Sequence, residues 1–165
     1  SIEGLVLDLR NNSGGLVSAG LAVADDLLPG QVIVETQDRN GISERRQANP
    51  QTIYSGPMVT LINGGTASAS EILGGALQDN QRSELLGATS FGKGEIQTML
   101  ALGDGSGLAV TVARYLTPNG NPIQGVGLMP DQLLSAPEPQ GSSLGSDEDQ
   151  WLQAASSQLL LQLSQ

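Results

Sequence analysis

Two short apolar runs, "GLVLDL" (4–9) and "GPMVTLIN" (56–63), each empty into a glycine-rich loop and then into a stretch of helical periodicity. That repeated succession restricts the fold more than any other feature. Each run has the length and unbroken apolarity of a buried strand. After the first come the turn-rich "RNNSGG" (10–15) and residues 16–28, where Leu16, Ala19, Val23 and Leu27 recur at helical spacing until Pro29-Gly30 stops the helix. After the second, a helix is predicted over about 68–80, with Ile72, Leu73, Ala76 and Leu77 on one face. "QVIVET" (31–36) and "ELLGA" (84–88) are further strands. Strand–helix–strand alternation on one core predicts an α/β domain with a central sheet flanked by helices. Sites in such sheets gather in loops beyond the carboxyl ends of strands. The loops at 10–15 and 63–68 hold that position.

The remainder reads as connections and a hairpin. "DRNG" (38–41) is a hairpin turn leading into polar residues 42–50, and "TSFGKGE" (89–95) is a glycine-flanked loop. "EIQTMLAL" and "GLAVTVARYL" pair around Asp104-Gly105, and residues 117–131 are dense in turns. Three units are expected: a core over 1–135, a linker over 136–149 and an amphipathic helix over 150–165. Because the chain opens almost inside a strand, a fragment or processed form lacking upstream segments is expected.

Composition narrows the chemistry. With 38% hydrophobic residues in 165, a single sizeable core is available. Phe91, Tyr54, Tyr115 and Trp151 are the only aromatics, so the core rests on aliphatic side chains and offers no base-stacking surface. A net charge of −10 argues against a nucleic-acid partner. No apolar run approaches the roughly 18–20 residues of a membrane-spanning helix. The chain has no histidine and no cysteine, which removes Ser-His and Cys-His catalysis, histidine- or cysteine-based metal sites and disulfides. No cofactor is implied. Lys93 is the one lysine, and arginine stays protonated, so any side-chain amine base must be Lys93.

"NGGTASASEI" (63–72) presents Ser68 and Ser70 at a helix start. Ser68-Ala69-Ser70-Glu71 has the form of a capping box, in which Ser68 accepts the N3 amide and Glu71 reaches back to the Ser68 amide. The same position is favourable for a nucleophile, because unpaired amides and the helix dipole stabilise negative charge there. Ser70 falls inside the first turn and is the weaker candidate. Lys93, between two glycines in "FGKGE", reads as an ordinary solvated lysine in a turn, the commoner case, or as a base. A base must be held neutral, which burial achieves, and Leu85, Leu86 and Phe91 are candidate walls of such a pocket. In an extended segment Lys93, Glu95 and Gln97 share a face, from which Gln97 would orient the amine. Gly87 to Lys93, "GATSFGK", also matches the first seven positions of a phosphate-binding loop. The eighth is Gly94, so the magnesium-binding hydroxyl is missing, and a strand pattern follows where a helix is required.

"GLVLDLRNNSGG", "LINGGTASASEILGGALQDN", "GATSFGKGEIQ" and "ARYLTPNGNPIQGVGLMPD", in that order, resemble the carboxyl-terminal processing, or tail-specific, serine proteases. The resemblance covers most of residues 3–135. It implies the ClpP/crotonase-like α/β protease core, a serine nucleophile and a lysine base. Carried onto this chain, the nucleophile is Ser68, the base Lys93, 25 positions later, and the third member of the triad Gln97. The oxyanion donors would be the backbone amides of Ala69 and of a glycine in "NNSGG", with Gly14 the better match and Gly15 its neighbour. Asp79, discussed as functional in that family, lies roughly 16 Å along the helix from Ser68, so it reads as a structural, loop-anchoring carboxylate. The resemblance implies protein or peptide substrates recognised near their carboxyl termini, and work in the periplasm or thylakoid lumen. A PDZ domain upstream of the core is usual in the family and is not in this sequence. Without those upstream segments, a bare sheet edge would invite pairing into a homodimer. Two other readings stand beside the peptidase: an inactive fragment of the same fold that binds peptides or assembles, and a nucleotide-binding domain.

Overall fold

The computed structural model describes residues 2–164. The chain runs β1 (Leu5–Asp8), α1 (Val17–Leu27), β2 (Val32–Asp38), β3 (Gly41–Gln47), β4 (Met58–Ile62), α2 (Ala69–Asp79), β5 (Glu84–Gly87), β6 (Glu95–Ala101), β7 (Gly107–Leu116), β8 (Gln132–Leu133), a 3-10 turn (Gly141–Ser143) and α3 (Gln150–Leu163). The two apolar runs become neighbours: β1 pairs in parallel with β4, Leu5 opposite Met58 and Asp8 opposite Leu61. β5 and β8 extend this parallel sheet in the order β1-β4-β5-β8.

Both faces of the sheet are covered, which explains why its strands are apolar without alternation. Met58, Ile62 and Leu85 pack with Ala24, Leu27, Ile72 and Leu73, from α1 and α2. Val59, Leu61 and Leu86 point the other way, onto Trp151 and Ala155 of α3. Thr60, fully buried between them, is satisfied by the Ser83 hydroxyl at 2.7 Å. The domain is therefore mixed α/β, with helices on both faces of its parallel sheet. A second sheet, β3-β2-β7-β6, is antiparallel throughout. β3 occupies the polar stretch read from sequence only as the continuation of a turn. It is an edge strand, exposed along nearly its whole length, so nothing required apolar residues there. At the opposite edge, β6 and the outer part of β7 leave Met99, Leu100, Leu108 and Val110 exposed.

Residues 136–149 have a single 3-10 turn as regular structure, but they are anchored. The Trp151 indole donates to the Ala136 carbonyl at 3.0 Å. Asp149 caps α3 by accepting from the amides of Trp151 and Leu152. It also faces Arg10, whose guanidinium donates from Nη1 and Nη2 to Asp149 at 3.0 and 2.7 Å, and from Nε and Nη2 to Asp8 at 2.9 and 2.6 Å. The Arg10 and Asp149 side chains have no solvent exposure. Burial by itself would raise the Asp149 carboxyl. The Arg10 hydrogen bonds, the Gly145 and Leu152 amides and the Arg10 charge outweigh it, and hold the carboxyl well below the usual carboxylate range.

A depressed carboxyl stabilises the fold fully above the unfolded value of about 4, and that contribution fades as pH falls below it. The thermal midpoint should therefore drop on acidification below about pH 4, and less steeply in Asp149→Asn, as differential scanning calorimetry would read. At Gly87, φ is +129° and a Cβ would stand 2.0 Å from the Ile62 carbonyl oxygen of the adjacent strand. Gly87→Ala should cost at least about 2 kcal/mol in urea unfolding.

Candidate active site

The loops that leave β1 and β4 lie against each other because their strands are adjacent and parallel. Asn63 rivets them. Its Oδ1 accepts from the amides of Asn11 at 2.8 Å and Gly65 at 3.0 Å, while its Nδ2 donates to Asn11 Oδ1 at 3.0 Å and to Glu138. The Ala67 amide donates to the Asn12 carbonyl at 3.0 Å. Gly14 is thereby pressed onto the helix start. A Cβ on it would stand 2.7 Å from the Ala67 oxygen, 2.9 Å from Ser68 Cβ and 3.0 Å from the Ala69 nitrogen. Only a glycine fits there, and its φ of +94° suits the same residue.

Ser68 sits at the N-cap of α2 with φ +57° and ψ −120°, a combination costly for a residue with a Cβ. Such strain persists only where the surroundings impose it. The Ser68–Glu71 capping box is in place: the Ser68 amide donates to Glu71 Oε2 at 2.9 Å, and the Ser68 side chain faces the Glu71 amide. The Glu71 amide donates to the Ser68 carbonyl at 2.9 Å as well. Ser68 itself stays half-exposed. Ser70 is buried inside the first turn. The Ala69 amide has no hydrogen-bond acceptor among the described residues, and neither has that of Gly15, whereas the Gly14 amide donates to Asn12 Oδ1 at 3.0 Å.

Glu71 was legible in the sequence only as a capping partner. In the fold it is fully buried and gathers four donors. Oε1 accepts from the Ser90 hydroxyl at 2.5 Å and the Gly92 amide at 2.7 Å, and Oε2 accepts from the Ser68 amide and, at 2.8 Å, from the Lys93 amide. One carboxylate oxygen therefore joins the backbones of Ser68 and Lys93, whose nitrogens lie within about 6 Å of each other by that geometry.

The pocket expected around the Lys93 side chain does not form in this chain. Lys93 is exposed, Phe91 is 66% exposed, and Leu85 and Leu86 are committed to the two cores. Glu95 and Gln97 do share a face, since both reach the Thr111 hydroxyl and the extra residue at the register shift, Val112, lies on β7. The Gln97 amide donates to Thr111 Oγ1 at 3.4 Å. Asp79 anchors a loop, accepting from the Asn119 amide at 2.8 Å. The phosphate-loop reading fails on backbone geometry: every amide from Ser90 to Gly94 is already taken, by Leu128, Thr66, Glu71 twice and Gln124. The loop leads into β6 instead of a helix. Beside the two glycines lies an open, mainly apolar cavity of about 330 Å³ lined by Asn12, Gly14, Leu16, Ala69 and Leu73 among others. No helix among the described residues is long and apolar enough to cross a membrane.

The profile of Peptidase family S41 matches residues 1–134. A carboxyl-terminal-processing protease of Synechocystis is 49% identical over 153 residues, 93% of this chain and 36% of the relative. Carboxyl-terminal-processing peptidase 3, chloroplastic, of Arabidopsis thaliana is 51% identical over 132 residues, 79% of this chain and 25% of the relative. Among solved structures, a photosystem II D1 C-terminal processing protease superposes with a TM-score of 0.80 at 47% identity, over 89% of this chain and 40% of that one. The chain thus spans about a third of the length of the curated relatives it matches.

Glu71→Gln replaces one acceptor oxygen with an NH2 group facing amide donors. It should lower stability by about 1–3 kcal/mol in urea unfolding and speed amide hydrogen exchange at Gly92 and Lys93.

Proposed function

The chain belongs to peptidase family S41, and on that premise we propose that residues 1–135 are the catalytic core of a serine endopeptidase. It cleaves polypeptides near their carboxyl termini through a Ser68–Lys93 pair. The observation that carries this reading is the single Glu71 oxygen shared by the Ser68 and Lys93 amides. It ties the one lysine to a strained, half-exposed serine at a helix start.

In the reaction, the neutral Lys93 amine takes the Ser68 hydroxyl proton as Oγ attacks the peptide carbonyl carbon. The oxyanion that forms accepts hydrogen bonds from the backbone amides of Ala69 and Gly14. Gly14 must exchange its Asn12 partner for the oxyanion, and Gly15 next to it offers an amide with no acceptor among the described residues. The Lys93 ammonium then protonates the leaving amine, leaving an acyl-enzyme on Ser68. A water deprotonated by Lys93 attacks the ester, and collapse returns the proton to Ser68. Gln97 orients the Lys93 amine, which requires its side chain to leave Thr111. The apolar cavity beside Gly14 receives a substrate side chain. By kinship with cyanobacterial and chloroplast enzymes, the setting is the periplasm or thylakoid lumen. The uncovered β6 edge suits pairing with a second copy of the chain.

The exposed Lys93 favours a second reading, in which this chain alone binds peptide without cutting it. Cleavage of an unfolded protein by the wild type, Ser68→Ala, Lys93→Ala and Ser70→Ala separates the two. The first two variants should fall by at least about 10³-fold in kcat, and Ser70→Ala should stay close to wild type. Equal cleavage by wild type, Ser68→Ala and Lys93→Ala would refute the Ser-Lys assignment. Peptide binding by a wild type that does not cleave would establish the second reading.

A further inference from the structure

We propose that the carboxyl-terminal segment 136–152 braces both loops of the candidate site from behind, with Asp149 and Glu138 as positioning residues. The proposal rests on the assignment of Ser68 and Gly14 made above. The segment reaches each loop through one carboxylate. Asp149, fully buried, grips one edge of the Arg10 guanidinium with both oxygens, while Asp8 grips another. Two bidentate pairs in the plane of one guanidinium fix both its place and its rotation. Arg10 directly precedes Asn11, held at φ +57° and bonded to Asn63, and Asn12, whose side chain holds the Gly14 amide. A shift at Arg10 is therefore passed by covalent geometry to the candidate oxyanion donor.

Glu138 acts on the other loop. Its carboxylate accepts from Asn63 Nδ2, and Asn63 is the residue that rivets the β4 loop to the β1 loop. Neither carboxylate touches the reacting atoms. Their effect is preorganisation, since oxyanion donors stabilise a transition state only when already aimed at the place where charge develops. Asp149 itself is fixed independently, as the cap of α3 and the acceptor of the Gly145 amide. Trp151, two residues on, is locked into the core beneath β4 and β5. The brace therefore has a rigid footing.

The test compares the 165-residue chain with Asp149→Asn, Glu138→Ala and Ala155→Gly. Asparagine caps helices about as well as aspartate, so Asp149→Asn keeps α3 while losing the charge that holds Arg10. Ala155→Gly weakens α3 in its buried interior without touching either loop. In ¹H–¹⁵N spectra, Asp149→Asn and Glu138→Ala should shift or broaden the Asn12, Gly14 and Ser68 amides, and Ala155→Gly should leave them in place. In peptide cleavage, the first two should lower kcat by about 10–100-fold with KM within about two-fold. Ala155→Gly should keep the wild-type kcat despite its lower thermal midpoint. The brace is overturned if the loop amides stay put in Asp149→Asn and Glu138→Ala, or if Ala155→Gly moves them equally. Should Asp149→Asn fail to fold, Glu138→Ala decides the matter alone, because that side chain is exposed. If Ser68→Ala cleaves like the wild type, the site assignment falls, and the amide shifts still decide the brace.

Discussion

A buried carboxylate joins the parts of this protein that matter together. Glu71 has no solvent exposure, and its two oxygens meet four donors drawn from the start of α2 and the loop at 90–93. An unpartnered carboxylate in that place would be expensive, so the surrounding amides have little freedom to turn elsewhere. The same bonds close the loop at 90–93 onto the helix start and occupy amides that a phosphate would need. Glu71 also completes the capping box by accepting from the Ser68 amide. The helix start is satisfied in part by a side chain three residues in, and the serine keeps an unfavourable backbone conformation there.

The parallel sheet supplies the frame for this arrangement. Strands two to five residues long could not hold two loops in register unless both faces were packed. α1 and α2 cover one face and α3 the other. The carboxyl-terminal helix is thus part of the same body as the family core, although the family profile ends at residue 134. The Arg10–Asp149 pair marks this join, 139 residues apart in sequence and without solvent exposure. Burial costs both ions their hydration, so the pair is stable only because both carboxylates match the guanidinium edges and further amides complete Asp149.

Much of the architecture was legible because buried strands and amphipathic helices announce themselves locally. "GLVLDL", "GPMVTLIN" and "ELLGA" all became parallel strands, and helices ending at Leu27 and Asp79 fall within a residue of expectation. β3 escaped notice because an exposed edge strand needs no apolar face, and β8 because two residues carry no period. At the site, Ser68, Ala69 and Gly14 come together, since one helix start and two adjacent strand ends suffice to place them. The pocket around Lys93 did not follow, because Leu85 and Leu86 face the two cores and Phe91 faces solvent. Alternation along 95–97 held, with Glu95 and Gln97 on one Thr111 hydroxyl, because the bulge inserts Val112 on the partner strand. Asn63 and Glu71 left only faint marks: an asparagine at a strand end and a glutamate at N3 are both ordinary where they stand.

The sequence by itself determined the class of fold, the family and the inventory of chemistry: no histidine, no cysteine, a single lysine, and a serine at a helix start. These depend on composition and short-range periodicity, which a linear chain displays. Tertiary structure alone decided that Glu71 spans Ser68 and Lys93, that Asn63 rivets two loops, and that Asp149 reaches Arg10. Each of those is a polar contact between distant segments, made where burial removes water as a competing partner. That competition is settled only when the sheet closes and the helices cover it.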